Sequence, residues 1–174
     1  MPLFMKRVLL GLGSNKTYKG HSSLELLSFA REELALIMKD CVFSSVYRTK
    51  AMYVEDQDDF YNMVALGYVD NKTDPFEFLK KINLIEAKYG RDRDKEIRFG
   101  PRSLDIDIEL FGDDTISDPI LQIPHVRMEE RAFVLVPAIE ILKDSADELI
   151  RKKYSACLLK LEKEGKADDI EKLL

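Results

Sequence analysis

The sequence lacks the features that would divide it into several units or place it in a membrane. Its 174 residues contain no glycine-serine or proline-rich linker, no low-complexity tract and no internal repeat. Near the N-terminus, Lys6 and Arg7 precede only a short apolar run, which is too little for a signal peptide or a membrane span. One domain over residues 1–174 and a cytoplasmic location are therefore expected, with a core over about 6–143 and a helical tail over about 144–174.

The sequence also has few cysteines and no excess of positive charge. These two features argue against disulfides, a zinc site and a nucleic-acid partner. Cys41 and Cys157 are too few for a disulfide framework or a zinc site, so both are expected to be reduced, buried thiols. The net charge of −5 argues against a surface built to bind nucleic acid. Residues 88–102 nevertheless form a basic stretch within this acidic protein, which favours a small anionic ligand.

Two helices can be located from their end signals. Ser22 and Glu25 have the spacing of a capping box, and leucines at helical spacing follow to about Lys39. Asp74 as N-cap and Gly90 just past the end bracket the second helix.

A buried apolar run, period-two alternation in the two middle segments and a further apolar segment that ends at Phe111 predict four strands. These cover residues 6–12, 41–48, 60–69 and 104–111. The order β-α-β-β-α-β predicts an α+β, ferredoxin-like split βαβ fold, an antiparallel sheet with helices on one face and the other face left for a ligand. A helix near 129–136 and a charged helical tail should follow as extra C-terminal helices.

Two aspartates, Asp105 and Asp107, lie two residues apart in the last of these strands. Side chains at this spacing share a face, with Cα atoms about 6.6–7 Å apart, so their carboxylates converge. The residues expected to face the core are Leu104, Ile106, Ile108 and Leu110. Carboxylates this close repel each other unless a hard divalent cation such as Mg²⁺ lies between them. The alternative is a solvated strand face that carries two acidic residues.

Arginines surround this pair in the sequence. Arg91 and Arg93 precede the strand, and the stretch Arg98-Phe99-Gly100-Pro101-Arg102 leads into it. Guanidinium groups bind phosphate oxygens in pairs, and a metal ion with arginines is the recurring equipment of phosphoryl transfer. The segment 90–100 is expected to close as a lid over phosphates, with an ordinary surface loop as the alternative.

Two more polar residues have both a structural and a functional interpretation. Asn62 lies in an apolar row with Phe60, where it either caps backbone groups or binds the polar edge of a flat heterocycle. His125 lies near Arg127 and Arg131, where it either packs or donates a hydrogen bond to a phosphate oxygen.

Taken in order, these motifs closely resemble the 6-hydroxymethyl-7,8-dihydropterin pyrophosphokinase family, folate-pathway enzymes that move a pyrophosphoryl group from ATP to a pterin alcohol. The resemblance runs from the first strand to about Val136. The matching pieces are Gly11-Leu12-Gly13-Ser14-Asn15, Ser45-Val46-Tyr47-Arg48-Thr49, Phe60-Tyr61-Asn62, Gly90-Arg91-Asp92-Arg93, Arg98 through Asp107, Ile123-Pro124-His125 and Arg131-Ala132-Phe133-Val134-Leu135.

The resemblance implies a role for individual residues. Asp105 and Asp107 would be the metal ligands for two Mg²⁺ ions that bridge the phosphates of ATP, the co-substrate. The implied catalytic residues are Arg91, Arg93, Arg102, Asp105 and Asp107. The implied ATP-binding residues are Asn83, Arg91, Arg93, Arg98, Arg102, Ile108, His125 and Arg131. The implied pterin-binding residues are Thr49, Phe60, Asn62, Glu86 and Phe133.

Four positions depart from the family pattern. Lys50 and Ala51 stand where prolines are frequent, so the first pterin-side loop is expected to be more mobile. Val126 replaces an aromatic residue and removes a stacking contact with the nucleotide. Glu109 replaces an apolar residue on the carboxylate face, where it is either solvent-exposed or a third acid that perturbs the metal site.

The implied reaction is in-line attack by the pterin hydroxymethyl oxygen on the β-phosphorus of ATP, with AMP as the leaving group. The expected partners are small-molecule substrates alone, and the protein is expected to be a monomer without nucleic-acid or membrane partners. Two alternatives remain open. One is another two-metal nucleotidyl or phosphoryl transferase, and the other is a non-catalytic ferredoxin-like module that binds RNA on its open sheet face.

Overall fold

The computed structural model describes residues 4–51, 56–98, 100–167 and 169–173, which are organised around a six-stranded antiparallel sheet. The strands are β1 (Met5–Ser14), β2 (Lys39–Phe43), β3 (Tyr47–Thr49), β4 (Phe60–Asp70), β5 (Asp105–Phe111), β6 (Ile116–Ser117), β7 (Gln122–Ile123) and β8 (Ile170–Lys172). The helices are α1 (Ser23–Ile37), α2 (Pro75–Lys88), α3 (Ala132–Ile141) and α4 (Glu148–Lys163).

The topology confirms the predicted ferredoxin-like α+β fold. The sheet has the order β5-β1-β4-β3-β8, β2 also pairs with β4, and β6 and β7 form a separate two-stranded sheet. Strands β1 and β4 pair over ten residues each, from Met5 opposite Asp70 to Ser14 opposite Tyr61. These two central strands therefore hold the residues of the first and third sequence motifs side by side.

The predicted N-caps of both helices and the glycine after α2 are confirmed, whereas α1 ends at Ile37 and Lys39, its predicted end, begins β2. The Ser22 side chain accepts from the backbone of Glu25, and the Glu25 carboxylate accepts from the backbone of Ser22, which completes the capping box of α1. The Asp74 carboxylate caps α2 by accepting two backbone N–H groups. After α2, Gly90 has φ of +92°, a conformation that favours glycine.

Several predicted boundaries were wrong. The strand expected over 41–48 is two strands, because the Ser44 hydroxyl takes the place of a backbone acceptor and binds the Val64 N–H at 2.9 Å. The helix expected near 129–136 is interrupted at Arg131, whose extended backbone separates a 3-10 turn, Met128–Glu130, from α3. The tail is helical only to Lys163, and it ends in β8, which no sequence pattern had indicated.

Helices cover both faces of the sheet, and this corrects the expectation that one face would be open. Val8, Leu10 and Leu12 of β1 pack with α1 and α2 in one apolar core. On the opposite face, Leu9 packs with α3 and α4 in a second core, together with Val64 of β4. The open part of that face is thus confined to the end of the sheet beyond Leu9.

A β-bulge changes which residues of β5 face each core. The register between β1 and β5 shifts between Leu9 and Leu10, opposite Glu109. Leu104, Ile106 and Ile108 face the first core as predicted, but Leu110 packs against the second core, and Phe111 fills the first one instead.

Two expectations based on scarcity can be compared with the structure. Cys41 and Cys157 are free thiols, and both are half-buried rather than buried. Among the described residues, none of the helices combines the length and the apolar composition that a membrane-spanning helix requires.

Candidate active site

The open end of the sheet contains a cavity whose floor is made by two glycines of β1, Gly11 and Gly13. In the sheet register, Gly13 lies between Asn62 of β4 and Asp105 of β5, and Gly11 lies opposite Asp107. A β-carbon at Gly11 would lie 2.7 Å from Oε1 of Glu109. The absent side chains therefore create the space between the amide on one strand and the carboxylates on the other. We call this space the glycine cavity.

Four of the five predicted pterin-binding residues line the glycine cavity together. They are Thr49, Phe60, Asn62 and Phe133. The Asn62 amide donates to Oγ1 of Thr49 at 2.9 Å, which orients the buried amide toward the cavity. Phe133 enters from α3, and the Arg131 guanidinium lies over its ring at 5.7 Å. The cavity thus combines two aromatic rings with an oriented amide, a combination suited to a flat polar ring.

The fifth residue, Glu86, does not join this group. It is buried on α2, where its carboxylate accepts from the Ile106 backbone N–H at 2.8 Å. It also pairs with Arg91 and, at 2.6 Å, with Arg93. Burial raises the pKa of Glu86, and the two arginines act against this increase. Its position fits the orientation of arginines better than contact with a ligand in the glycine cavity.

Asp105 and Asp107 share one face of β5, as predicted, and both line the glycine cavity. Both oxygens of Asp105 are paired, one with Arg91 and the other with Arg102 at 3.1 Å. Oδ2 of Asp107 accepts from Arg131 at 3.1 Å. The carboxylates are therefore held in a ring of guanidinium groups, and the interpretation as an ordinary solvated strand face is wrong.

The surroundings shift the pKa values of Asp105 and Asp107 in opposite directions. Burial acts to raise the pKa of Asp105, but the charges of Arg91 and Arg102 outweigh it and lower the pKa. At Asp107, burial raises the pKa and the charge of Asp105 raises it further, against His125 and Arg131. Asp105 is thus ionised over a wide pH range, and Asp107 is the member of the pair that gains more from an added cation.

An arginine cleft adjoins the glycine cavity and shares Arg102, Asp105, Asp107 and Arg131 with it. The arginines that line this cleft are Arg91, Arg93, Arg98, Arg102 and Arg131. Phe99, which belongs to the same motif, lies outside the described residues. Arg91 also pairs with Glu96 at 3.1 Å, which folds the start of the 90–100 segment back toward the cleft. Five guanidinium groups along one cleft provide a binding surface for several phosphate groups.

Beyond the cleft lies a side groove that brings Asn83 and Ile108 together with His125 and Arg93. Oδ1 of Asn83 accepts from Arg93 at 3.2 Å, which ties the groove to the cleft. Ile120 and Val126 add exposed apolar surface, so the groove retains apolar contacts although Val126 replaces an aromatic residue. All eight predicted ATP-binding residues line either the arginine cleft or the side groove.

His125 stands where cleft and groove meet. Its Nδ1 accepts the Arg127 backbone N–H at 3.2 Å, so in the neutral ring the proton lies on Nε2. Nε2 lies 3.7 Å from Oδ2 of Asp107. Burial lowers the pKa of His125, although the charge of Asp107 acts against this. The ring is therefore a neutral donor directed into the cleft at neutral pH.

Glu109 is fully buried, which rules out the solvent-exposed alternative. Among the described residues, neither of its carboxylate oxygens has a hydrogen-bond partner. Burial raises its pKa well above the ordinary value of 4.5, and the charge of Asp107 raises it further. A buried acid without donors is kept neutral more readily than ionised, so Glu109 is a third carboxyl group behind the pair.

The residues fit a magnesium ion that arrives with phosphates. Within the described residues, no group of three or more histidine, cysteine, aspartate or glutamate side chains is placed to hold a metal ion by itself. Magnesium in nucleotide sites is commonly bound by one or two carboxylates, with phosphate oxygens and water completing the octahedron. Asp105 and Asp107 would be such a pair, and Asp107 lines the cavity, the cleft and the groove alike.

Sequence reasoning did not identify the positioning role of Asn15. Its Oδ1 accepts the Arg102 N–H at 2.9 Å, and its amide donates to the Asp58 carbonyl at 3.0 Å. Asn15 thus joins the base of the arginine cleft to the loop before β4. Its place at the end of the glycine motif was the available signal, but the partner residues lie far away in the sequence.

Comparison with known proteins supports the resemblance. A family model described as 7,8-dihydro-6-hydroxymethylpterin-pyrophosphokinase (HPPK) matches residues 9–143, more than half of the chain. The 2-amino-4-hydroxy-6-hydroxymethyldihydropteridine pyrophosphokinase of Pseudomonas aeruginosa is 36% identical over 140 residues, which cover 80% of this chain and 83% of the relative. That of Bacillus subtilis is 39% identical over 119 residues, covering 66% of this chain and 69% of the relative.

Longer relatives contain this region as one part. The mitochondrial folate synthesis bifunctional protein of Pisum sativum is 34% identical over 142 residues, and the match spans 82% of this chain but only 26% of that protein. A crystal structure of HPPK-DHPS in complex with substrates superposes with a TM-score of 0.71 at 14% identity, covering 98% of this chain and 47% of the other. The crystal structure of wild-type HPPK-DHPS of Plasmodium falciparum superposes with a TM-score of 0.65 at 15% identity. The match covers 93% of this chain and 46% of the other.

These solved structures support the fold, while the family model and the bacterial relatives support a common ancestry over most of the chain. The chain belongs to the 7,8-dihydro-6-hydroxymethylpterin-pyrophosphokinase family.

Proposed function

We propose that this protein transfers a pyrophosphoryl group from ATP to 6-hydroxymethyl-7,8-dihydropterin in a Mg²⁺-dependent reaction that releases AMP. The names of the bacterial relatives point to this acceptor and this type of transfer. The observation that carries the proposal is the position of Asp107, which lines the glycine cavity, the arginine cleft and the side groove at once. A phosphoryl group that moves from a nucleotide in the arginine cleft to a flat acceptor in the glycine cavity would therefore pass next to Asp107.

The glycine cavity suits the pterin. Its ring would lie between Phe60 and Phe133, and the Asn62 amide would bind its polar edge, with Thr49 orienting the amide. The carboxylates Asp105 and Asp107 also line this cavity, so an acceptor hydroxyl would lie beside them. Holding the two reactants at contact distance replaces a bimolecular encounter and accounts for a large part of catalysis in phosphoryl transfer.

The arginine cleft suits the triphosphate, and the side groove suits the adenosine. Arg91 and Arg102 now neutralise Asp105, and Arg131 neutralises Asp107. When bound, Mg²⁺ would be held by the two aspartates and would supply Lewis-acid neutralisation of phosphate charge. The arginines would then be released from the carboxylates to bind phosphate oxygens, and His125 would donate from Nε2.

The requirement for donor and metal can be tested with chelator-treated protein. Incubated with the pterin and ATP, it should form AMP only after Mg²⁺ is restored, and chromatography of the adenine nucleotides measures this directly. Omission of the pterin is the matched control, because a nuclease or nucleotidyl transferase that uses the same aspartates has no need of it. AMP formation at full rate without added metal would contradict the proposed metal dependence, and ADP as the product would contradict pyrophosphoryl transfer.

A further inference from the structure

Glu140 connects the two walls of the glycine cavity. It lies on α3, seven residues after Phe133 and therefore on the same face of that helix. Its Oε1 accepts from the Ser45 N–H at 3.0 Å and from the Ser45 hydroxyl at 2.8 Å. Its Oε2 accepts from the Tyr47 hydroxyl at 2.6 Å. One carboxylate on the helix thus receives three hydrogen bonds from the segment at the start of β3.

That segment leads directly into the opposite wall. Tyr47 and Thr49 are two residues apart in β3, so their side chains point to the same side of the sheet. Thr49 lines the cavity and receives the hydrogen bond from Asn62. The hydrogen bonds that hold Tyr47 at a set distance from α3 therefore also set the distance of Thr49 and Asn62 from Phe133.

The other contacts of α3 with the sheet do not specify this distance as narrowly. Along the body of α3, the described residues pack on the sheet through apolar side chains, with Leu9, Val64 and Leu66 on the strands and Ala132, Leu135 and Ala138 on the helix. The ion pair of Arg131 with Asp107 at the N-cap ties α3 to β5 and not to β3. Apolar burial is non-directional, whereas a carboxylate that receives three hydrogen bonds fixes both distance and angle. Burial acts to raise the pKa of Glu140, but the bonds from Tyr47 and Ser45 outweigh it and lower the pKa, so the group is ionised and the bonds are charge-assisted.

The C-terminal strand supports the same arrangement from outside. β8 pairs with β3 along its free edge, with Tyr47 opposite Lys172 and Thr49 opposite Ile170. Nζ of Lys172 lies 3.8 Å from Oε1 of Glu140. The strand therefore holds β3 between two neighbours and adds a positive charge beside the carboxylate.

We propose that Glu140 is a positioning residue that sets the spacing between the Thr49 and Phe133 walls of the glycine cavity, and thereby the affinity for the flat acceptor. This role rests on the proposed function, since the acceptor is the pterin. It predicts a defect confined to the acceptor. The arginine cleft and the side groove contain neither Glu140 nor its partners.

The test compares Tyr47→Phe and Glu140→Gln with a variant that weakens the fold elsewhere. Asp147→Asn is the matched control, because Asp147 is a buried carboxylate bound to Arg7 at 2.7 Å, beside the same α3 and α4 layer but away from the cavity. Each variant is compared with wild type by titration with the pterin, by titration with ATP and Mg²⁺, by melting temperature, and by amide hydrogen exchange of residues 47–49 without ligand.

Tyr47→Phe should weaken pterin binding by about tenfold, the size of one lost hydrogen bond to a charged group, and leave ATP binding within about twofold. Glu140→Gln should weaken pterin binding at least as much, and both variants should speed amide hydrogen exchange at residues 47–49. Asp147→Asn should lower the melting temperature without changing either affinity. If both affinities fall together, or pterin binding is unchanged, Glu140 is a stabilising residue only and the inference fails.

The exchange measurement separates this inference from the proposed function. If the wild-type protein binds no pterin, the proposed acceptor is wrong and the affinity part of the inference falls with it. Faster exchange at residues 47–49 in both variants, but not in Asp147→Asn, would still establish that Glu140 couples the two walls. Unchanged exchange would overturn the coupling itself.

Discussion

Gly13 lies directly opposite Asn62 in the pairing of β1 with β4, and a β-carbon at Gly13 would lie 3.2 Å from Oδ1 of that amide. Gly13→Ala should therefore displace the amide by a few tenths of an ångström and weaken pterin binding by about tenfold. Binding of ATP should change little, because the arginine cleft and the side groove do not include Gly13. Separate titrations with the two ligands measure this, and an equal loss of both affinities would mean that the pocket is misassigned.

Asp107→Asn should keep the shape of the site and remove one metal ligand. Turnover is expected to fall by about 10³-fold, since a metal that neutralises phosphate charge is worth several kcal/mol in the transition state. The melting temperature should not fall, because burial and Asp105 already raise the pKa of Asp107. Asp113→Asn, an exposed residue just after the same strand, is the control and should leave turnover unchanged. Wild-type turnover in Asp107→Asn would remove the metal assignment.

Glu86→Gln should make the enzyme need more Mg²⁺. The amide can still accept the Ile106 N–H, but one negative charge beside Arg91 and Arg93 is lost. The site becomes more positive, so the Mg²⁺ concentration for half-maximal activity should rise by about threefold to tenfold. Glu77→Gln, in the exposed first turn of the same helix, is the control. A direct pterin contact would instead raise the KM for the pterin at saturating Mg²⁺.

Glu109 should make the ligand-free protein less stable as pH rises. Its pKa is raised by burial in the folded state, so above about pH 4.5 the unfolded chain releases a proton that the folded chain retains. The contribution of Glu109 to stability is therefore complete below its ordinary pKa and is lost as pH increases toward the folded value. Glu109→Gln removes this dependence.

The melting temperatures of Glu109→Gln and wild type should therefore be close at pH 4.5, and the difference should grow in favour of the variant toward pH 8. A gain of about 1 kcal/mol corresponds to about 2–4 °C for a chain of this size. Since Asp107 titrates in the same direction, the comparison uses the difference between the two proteins at each pH. A constant difference across that range would mean that Glu109 is ionised in the folded protein.

Much of the fold follows from local signals in the sequence. The capping box at Ser22 and the N-cap at Asp74 are satisfied within three residues, so their geometry depends on neighbours alone. Alternation over 60–69 located β4 closely, whereas alternation over 41–48 spans two separate strands. β8 was not predicted, because its three residues form a strand only by pairing with β3, which lies more than a hundred residues earlier in the chain.

The parts of the site in which the residues lie on one face of one strand could be predicted from the sequence. The parts in which contacting residues come from several helices and strands could not. Period-two spacing was enough to place Asp105 and Asp107 together. The bulge at Glu109 was not visible in that spacing, and it reversed the direction of Leu110. The structure places Glu86 with the arginines after α2 and the backbone of β5, partners that sequence spacing does not bring together.

Phosphorus NMR identifies the group that the protein transfers from ATP to the pterin. Phosphorus NMR of a mixture of wild-type protein, ATP, Mg²⁺ and 6-hydroxymethyl-7,8-dihydropterin should show AMP appearing together with two coupled phosphorus signals of a pyrophosphate ester on the pterin, in equal amounts. ADP with a single new phosphate ester signal would mean transfer from the γ-phosphorus. No consumption of ATP in the presence of both substrates would contradict the proposed function.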